Sequence, residues 1–99
     1  MEEWSYEWDE TKREANLRKH GIDFWDALDV FEGPHLMIRS DRNGEERWGA
    51  LGLLGDRAIV VFFTPRGAVR RLISARSARR NERKIYHTHN APGAPPGSD

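Results

Sequence analysis

The sequence predicts a small α+β domain, and two observations carry that prediction. Helix-capping residues and apolar residues at helical spacing occur within residues 9–34 and again after residue 77. The intervening residues 35–75 follow instead the period of two that is typical of strands. Because helices bunched before a run of strands favour an antiparallel sheet, we expect two N-terminal helices, a four-stranded antiparallel sheet, a short N-terminal strand and a C-terminal helix.

The N-terminal residues contain the signals for the short strand and the first helix. Trp4–Trp8 alternates apolar and polar residues, as a strand with one buried face does. Asp9 is a typical N-cap for a helix over residues 10–20, and Gly21 is a typical left-handed C-cap. A strand followed directly by a capped helix is therefore expected.

A second helix is predicted to begin after the N-cap residue Asp23. Gly33-Pro34 would end it. Its apolar residues fall at i, i+3, i+4 and i+7 and so predict one buried stripe, which consists of Phe24, Ala27, Leu28 and Phe31.

The strand signals begin at residue 36. Residues 36–40 and 46–54 read as two strands, and Asn43-Gly44 between them is a strong signal of a two-residue hairpin turn. Residues 57–64 are apolar on both faces, which predicts the central strand of the sheet. The last strand is expected over residues 68–75.

The C-terminal helix is expected to begin at the cap residue Ser77 and to end near residue 87. Its inward stripe would consist of Ala78, Glu82 and Ile85. Residues 88–99 are rich in proline and glycine and are expected to form a disordered tail, which leaves residues 1–87 as the folded domain.

The composition excludes several classes of protein. The 99 residues include no cysteine, so disulfides, thiolate zinc sites and a thiol nucleophile are excluded. The longest apolar run, Ala58–Phe63, is too short to cross a bilayer, and the acidic N-terminus does not resemble a secretory signal. We therefore expect a cytoplasmic protein without membrane association.

The charge distribution predicts a polyanionic partner. The formal net charge is zero, but residues 1–34 are strongly acidic, whereas residues 66–84 carry eight basic residues against Glu82 alone. Seven of those eight are arginines, whose planar guanidinium matches phosphate geometry. RNA is the polyanion expected. In the alternative interpretation the two halves neutralise each other within the fold.

A polar row on the first helix is a candidate for chemistry. Lys12, Asn16 and His20 lie at i, i+4 and i+8, with Lys19 beside them. Such a row would present an amine, an amide and an imidazole to a phosphodiester, and imidazole exchanges protons near neutral pH. A solvated helix face and a structural histidine are the alternatives.

The last strand and the C-terminal helix form the basic strip. Strict alternation places Arg71 with Ile73 and Ala75 on one face, and Arg76 with Ser74 on the other. Glu82 follows among the cations of the helix. It would either orient one or more of these arginines or form an ordinary surface pair.

Glu46 and Arg47 open the predicted second strand of the hairpin, so one of the two should face the core side or a cleft. The sequence has no glycine-rich nucleotide loop, no zinc pattern and no acidic cluster suited to magnesium. His87 and His89 have no carboxylate or cysteine nearby. No metal or cofactor is therefore expected, and any phosphodiester chemistry would rely on side-chain acid–base catalysis.

Between Tyr6 and Tyr86 the sequence resembles the BrnT family of toxins. The resemblance rests on Trp8-Asp9, Lys12, Asn16, Lys19-His20-Gly21, Phe24, Ala27, Phe31, Glu46-Arg47, Gly52, the run from Arg71 to Ala78, Glu82 and Tyr86. It implies a RelE-like fold and a type II toxin that cleaves RNA and arrests translation. It also implies a BrnA-like ribbon-helix-helix antitoxin, through whose complex with the toxin operator DNA would be bound.

The resemblance and the residues together suggest roles. Arg71 and Arg76 would bind the scissile phosphate, His20 or Glu46 would be the general base, and Lys12 or Tyr86 would assist proton transfer. Asn16 and Glu82 would orient these groups. General RNA attraction is assigned to Lys19, Arg47, Arg79, Arg80 and Arg83. The alternative function is a non-catalytic module that binds an antitoxin or takes part in operator binding.

Overall fold

A computed structural model describes residues Trp4–Asn90 as five strands and four helices. In chain order these are β1 (Ser5–Glu7), α1 (Glu10–His20), α2 (Phe24–Ala27), α3 (Asp29–Glu32), β2 (Leu36–Arg39), β3 (Trp48–Leu54), β4 (Arg57–Arg66), β5 (Val69–Ser77) and α4 (Arg80–Asn90). Within this part of the chain, no helix has the length and apolar character that crossing a membrane requires. The α+β class expected from the sequence is confirmed.

All five strands form one sheet in the order β1-β5-β4-β3-β2. Strands β2 to β5 make an antiparallel meander, and β4 lies at its centre as predicted. The short strand β1 joins the sheet as a fifth strand, parallel to β5, with Ser5 opposite Val69. The free edge of β5 beyond Arg71, the last residue that β1 pairs, faces α1.

Apolar side chains cover both faces of the sheet. On one face, the segment from Ile22 to Val30 packs against strand residues that include Val61 and Leu72. On the other face, Tyr86 of α4 packs with residues such as Leu51 and Val60. The domain therefore has three layers, with the sheet between α4 and the N-terminal helices.

The capping predictions for α1 are confirmed, but the predicted second helix is divided. Asp9 accepts a hydrogen bond from the Thr11 N–H at 2.7 Å, and Gly21 adopts a φ of 70°. At Leu28 the chain tightens, and the Phe31 N–H bonds the Leu28 carbonyl three residues earlier. This tighter turn brings Val30, which is 1% exposed, into the core and so separates α2 from α3.

The hairpin before β3 has the predicted turn, although β3 begins later than expected. Asn43 and Gly44 have φ angles of 55° and 76°, the positive values that a type I′ turn requires. The Arg47 N–H is donated to the Asp41 carboxylate at 3.2 Å rather than to a neighbouring strand. The regular strand therefore starts at Trp48 and not at Glu46.

Three expectations for the C-terminus were wrong. Ser77 ends β5 and accepts hydrogen bonds from Arg57, so it does not cap α4. Ile85 is 43% exposed, whereas Tyr86 is the buried residue of that turn. The helix extends to Asn90 rather than ending near residue 87, and the rest of the predicted tail, residues 91–99, lies outside the described residues.

A β-bulge in β5 overturns the predicted alternation of its faces. Phe62 pairs with Ser74 and Phe63 pairs with Leu72, so Ile73 is an extra residue without an opposite partner. Beyond the bulge the side chains change sides. As a result Arg71, Ser74 and Arg76 all point to the α4 side of the sheet, although strict alternation would separate Arg71 from Arg76.

The amide of Asn16 closes the exposed edge of β5 just beyond this bulge. Its Nδ2 donates to the carbonyl of Ala75 at 3.0 Å and to that of Ile22 at 2.9 Å. Its Oδ1 accepts from the Ala75 N–H at 3.0 Å. Asn16 is the single buried residue of α1, so these bonds attach an otherwise polar helix to the sheet.

We expect Asn16→Leu to reduce the free energy of unfolding by about 2–4 kcal/mol, because it leaves buried backbone groups of Ala75 and Ile22 without partners. Urea unfolding at neutral pH measures this loss. Glu14→Gln, on an exposed position of the same helix, should stay within about 0.5 kcal/mol of wild type. Equal stability of the two variants would contradict the edge-closing role of Asn16.

Candidate functional site

The candidate site lies on β5, where the bulge gathers cationic side chains on the α4 side of the sheet. Arg71 lies opposite Thr64, Ser74 opposite Phe62, and Arg76 opposite Val60. Helix α4 packs on the half of this face that includes Val60. The Arg71 side chain is 35% exposed, against 20% for Arg76, so the end of the face away from Val60 carries the more accessible cation.

Arg76 is held rigidly by a two-point ion pair. Its Nη1 and Nη2 donate to the two carboxylate oxygens of Glu82 at 2.8 and 3.0 Å, and the two side chains are 20% and 16% exposed. The guanidinium carbon also lies 5.2 Å from the ring centre of Phe62. The predicted pairing of Glu82 with an arginine of this strip is thus present in the structure.

Glu82 also supports the start of α4, since it accepts a hydrogen bond from the Arg79 N–H at 2.7 Å. The hydrogen bonds from Arg76 hold the pKa of the Glu82 carboxyl below its usual range, although partial burial opposes this shift. The same bonds raise the pKa of Arg76. Both groups therefore remain charged at neutral pH.

Arg71 has a looser partner. Its Nη1 donates to Glu7 of β1 at 3.0 Å, and the two side chains are 35% and 43% exposed. An ion pair this exposed is worth little net free energy in water, because solvent screens it. A phosphate can therefore compete for Arg71 far more readily than for Arg76.

Arg47 and Thr64 extend the same row of side chains. Arg47 directly precedes Trp48, the partner of Phe63, so one further step of this register brings Arg47 beside Thr64. Arg47 Nε and Thr64 Oγ1 are both buried and have no hydrogen-bond partner within Trp4–Asn90. Arg47, Thr64 and Arg71 thus form a polar row at the end of the sheet.

A cleft of about 270 Å³ lies between α1 and the bulged edge of β5. It contains the whole predicted polar row, since its lining residues are Lys12, Ala15, Asn16, Lys19, His20, Ile73 and Ser74. The backbone carbonyl of His20 accepts from Arg57 Nη2 at 3.4 Å, which ties the end of α1 to β4. Ser74 belongs both to this cleft and to the arginine face of β5, so the two features adjoin.

Glu46 lies in a different cleft, on the opposite face of the sheet. Its Oε2 accepts from the Trp48 indole N–H at 2.8 Å. The cleft has a volume of about 310 Å³ and is lined by Trp4, Met37, Glu46, Trp48, Phe63, Pro65 and Arg70. No residue lines both clefts, so the structure separates the two candidate bases, His20 and Glu46.

The remaining predicted residues lie on or under α4. Arg79 and Arg80 are exposed, and Arg83 Nη1 donates to the Ala78 carbonyl at 2.8 Å. Tyr86 is 5% exposed within the core under α4, and its hydroxyl donates to the Pro34 carbonyl at 3.3 Å. Tyr86 therefore contributes to packing between α4 and the chain that precedes β2.

Metal ligands are not grouped in the described residues, since no set of three or more His, Asp or Glu side chains there could hold an ion. His87 and His89 are exposed on the last turns of α4. The β5 face presents the guanidinium groups of Arg71 and Arg76, which can bind an anion, and the adjoining cleft presents His20 and Lys12, whose side chains can exchange protons.

Sequence reasoning missed two arginines that matter to the arrangement. Arg57 binds Ser77 Oγ and the His20 carbonyl, and so joins the ends of β5 and α1. Arg70 lies over aromatic rings, with its guanidinium carbon 4.0 Å from the ring centre of Trp4 and 4.9 Å from that of Phe63. The interleaving of arginine and aromatic residues could have indicated Arg70, whereas the contacts of Arg57 depend on tertiary structure alone.

Comparison with known proteins points to one family. A family model described as "Ribonuclease toxin, BrnT, of type II toxin-antitoxin system" matches residues 8–82. The crystal structure of the Brucella abortus ribonuclease toxin, BrnT, is similar at a TM-score of 0.65 and 32% sequence identity, covering 79% of this chain and 100% of that chain. The search of curated proteins gave no match. The matched residues include all of α1 and β5.

The Arg76–Glu82 pair makes an acid-dependent contribution to stability. The pKa of Glu82 is lowered in the folded state. The ion pair therefore contributes fully to the free energy of unfolding above the ordinary pKa of glutamate, near 4.3. This contribution is lost as the pH falls through the lowered pKa. We expect Glu82→Gln to cost about 1–3 kcal/mol at pH 7 and much less near pH 2.5. Urea unfolding at both pH values measures the difference.

Glu14→Gln is the matched control for this prediction, since Glu14 is an exposed helical glutamate without an ion pair in the described residues. Its effect should be small at both pH values. A destabilisation by Glu82→Gln that is the same at pH 7 and pH 2.5 would contradict the role of the ion pair.

Proposed function

The chain belongs to the BrnT family of ribonuclease toxins of type II toxin–antitoxin systems, and from this membership we propose that it is a metal-independent endoribonuclease that inhibits translation. One observation carries the proposal. The bulge at Ile73 puts Arg71 and Arg76 on one face of β5, beside the cleft that holds Lys12 and His20. Phosphate-binding cations and proton-transfer groups therefore adjoin.

The proposed reaction uses the RNA's own 2′-hydroxyl as nucleophile. The 2′-oxygen attacks the adjacent phosphorus while a base removes its proton, and the 5′-oxygen leaves with a proton from an acid. The products are a 2′,3′-cyclic phosphate end and a 5′-hydroxyl end. Charge accumulates on the phosphoryl oxygens in the transition state, and fixed cations stabilise it most.

Arg71 is the proposed ligand of the scissile phosphate, since its exposed pair with Glu7 is easily exchanged for a phosphate. Arg76 is proposed to act as a fixed cation, because Glu82 holds its guanidinium from the side of α4. Arg47 would bind a neighbouring phosphate at the end of the same face. Lys19 and the exposed Arg79, Arg80 and Arg83 would supply general RNA attraction.

His20 is the proposed general base, and Lys12 the group that assists departure of the leaving oxygen. Both line the cleft that adjoins Ser74, whereas Glu46 lies in the cleft on the opposite face. Asn16 would position this helix through its bonds to Ala75. Tyr86, which was expected as an alternative proton donor, is given no step because its hydroxyl lies under α4 and bonds Pro34.

A type II toxin has a protein antitoxin as partner. We propose that this antitoxin is a BrnA-like ribbon-helix-helix protein, that operator DNA is bound only through the complex, and that the toxin acts in the cytoplasm. The rival function, a non-catalytic nucleic-acid-binding module, is not favoured by the ribonuclease description of the family.

We expect Arg71→Ala to lower the single-turnover rate of RNA cleavage by about 100-fold or more, because the scissile phosphate loses its most accessible cation. The rate is measured on a fluorescently labelled RNA, and thermal unfolding is measured in parallel. Glu7→Ala is the matched control, since it breaks the same ion pair and leaves the Arg71 charge in place. It should retain the wild-type rate within a few-fold.

The opposite ranking, with Glu7→Ala inactive and Arg71→Ala active, would assign the effect to the ion pair rather than to phosphate binding. Arg66→Ala provides a second control, since it removes an exposed cation at the turn between β4 and β5. Arg66→Ala should lower the cleavage rate no more than the loss of one non-specific phosphate contact would.

Cleavage is expected to proceed fully in excess EDTA, because every proposed step uses a side chain of this chain. Product ends are identified by mass spectrometry, and a 2′-O-methyl group at the cleavage position should block the reaction. Activity that appears only when magnesium or manganese is added would contradict the mechanism. A 5′-phosphate end would contradict it equally, since 2′-hydroxyl attack leaves a 5′-hydroxyl.

A further inference from the structure

The end of the sheet nearest the turn between β4 and β5 presents two different surfaces through neighbouring residues. Glu46, Phe63 and Arg70 line the cleft of about 310 Å³ described above, which we call the aromatic cleft. Thr64 and Arg71, which follow Phe63 and Arg70 in sequence, point to the opposite face, and Arg47 follows Glu46 at the same end of the sheet. A cationic row and an aromatic cleft therefore lie back to back across the thickness of one sheet.

The aromatic cleft has flat walls and polar groups of both signs. Trp4 and Trp48 both line it, and Trp4 is 37% exposed. The Arg70 guanidinium carbon lies 4.0 Å from the ring centre of Trp4, and Arg70 Nη1 donates to the Tyr6 hydroxyl at 3.4 Å. These contacts, with those to Phe31 and Phe63, hold the guanidinium among aromatic rings of the cleft lining.

One carboxylate oxygen of Glu46 in this cleft accepts a hydrogen bond within the described residues, and the other does not. Glu46 Oε2 accepts from the Trp48 indole at 2.8 Å, which fixes the direction of the side chain. Within the described residues no hydrogen bond or ion pair engages Oε1. The cleft thus offers one oriented and solvent-accessible acceptor beside aromatic side chains and the Arg70 guanidinium.

We propose that this cleft binds one unpaired base of the RNA, and that Glu46 selects a base with an exocyclic amino group over uracil. The proposal rests on the ribonuclease function proposed above, which it deepens by naming a specificity residue. Unpaired bases stack on aromatic rings and on guanidinium planes, and their amino groups are read by carboxylates. Adenine, cytosine and guanine each present an amino donor.

Uracil is rejected for a chemical reason. Its single ring N–H on the pairing edge lies between two carbonyl oxygens, which would meet the negative carboxylate of Glu46. A site that presents a fixed acceptor therefore binds uracil more weakly than a base with an amino group. Charge complementarity also favours RNA across this edge, because the phosphates can lie along Arg47 and Arg71 while a base turns into the cleft.

Glu46 was one of two candidate general bases in the sequence, and its position assigns it a different task. It lies on the face opposite Arg71 and Arg76, so it does not adjoin the phosphate-binding cations. Its hydrogen bond to Trp48 suits recognition, since the acceptor is held in place by a neighbour that also forms the wall. Glu46 is a binding and specificity residue in this proposal.

The test maps cleavage of a pool of randomised RNA by the full-length toxin and by Glu46→Gln. For wild type we expect one fixed position near the cut at which uracil is disfavoured about tenfold. Glu46→Gln should abolish that discrimination, since an amide can donate to the uracil carbonyls as well as accept. Glu45→Gln, the same charge change at the neighbouring exposed residue of the hairpin, should keep the wild-type preference.

Two outcomes would overturn the proposal. The first is an unchanged preference in Glu46→Gln, and if that variant also loses antitoxin binding, the cleft is a protein-docking site. The second is a loss of cleavage rate that is about equal at every sequence together with an altered pH profile, which would make Glu46 the general base.

A second measurement tests base recognition by the cleft independently of RNA cleavage. Binding of labelled 2′-O-methyl oligonucleotides of A, C or U is followed by fluorescence anisotropy, which needs no cleavage. Weaker binding of the U oligonucleotide that depends on Glu46 supports the cleft even if wild type cleaves no RNA. Equal binding of all three oligonucleotides by wild type overturns the proposal even if cleavage is robust.

Discussion

The architecture depends on how the exposed edge of β5 is closed. Strand β1 pairs only the beginning of β5, and an unpaired strand edge readily associates with other chains. Asn16 replaces the missing strand by accepting from the Ala75 N–H and donating to its carbonyl, as a neighbouring backbone would. Asn16 is the one buried side chain of α1, and together with the bond from Arg57 to the His20 carbonyl it fixes where the helix, and therefore Lys12 and His20, lies against the sheet.

The bulge at Ile73 is the second constraint, and it works together with the first. An extra residue shifts the side chains of β5 by one position, so that Arg76 joins Arg71 on the α4 side. The displaced stretch, Ile73 and Ser74, is also the stretch that forms the wall of the α1 cleft. One local irregularity thus gathers the cations and places them beside the cleft that His20 lines.

The helix caps and the hairpin turn were predictable from the sequence, whereas the pairing register of β4 and β5 was not. The N-cap Asp9, the C-cap Gly21 and the Asn43-Gly44 turn act through their own backbone and adjacent bonds, so composition and spacing suffice to identify them. The bulge at Ile73 has no composition signal of its own, since it arises from pairing between β4 and β5. The placement of Glu46 away from His20 depends equally on tertiary structure, which is why the two remained alternatives in the sequence.

The zero net charge hides a division between two kinds of arginine. Arg76 is bound at two points by a largely buried Glu82, and removing either partner would leave the other charge without compensation. Arg71 shares an exposed carboxylate from β1, and a phosphodiester, whose two non-bridging oxygens match the guanidinium fork, can replace one screened glutamate. The acidic N-terminal segment therefore does neutralise part of the basic strip, but through a contact that a polyanion can displace. In the proposed mechanism, a site built from one fixed and one exchangeable arginine would keep its geometry in the free protein and still release a cation to the incoming phosphate.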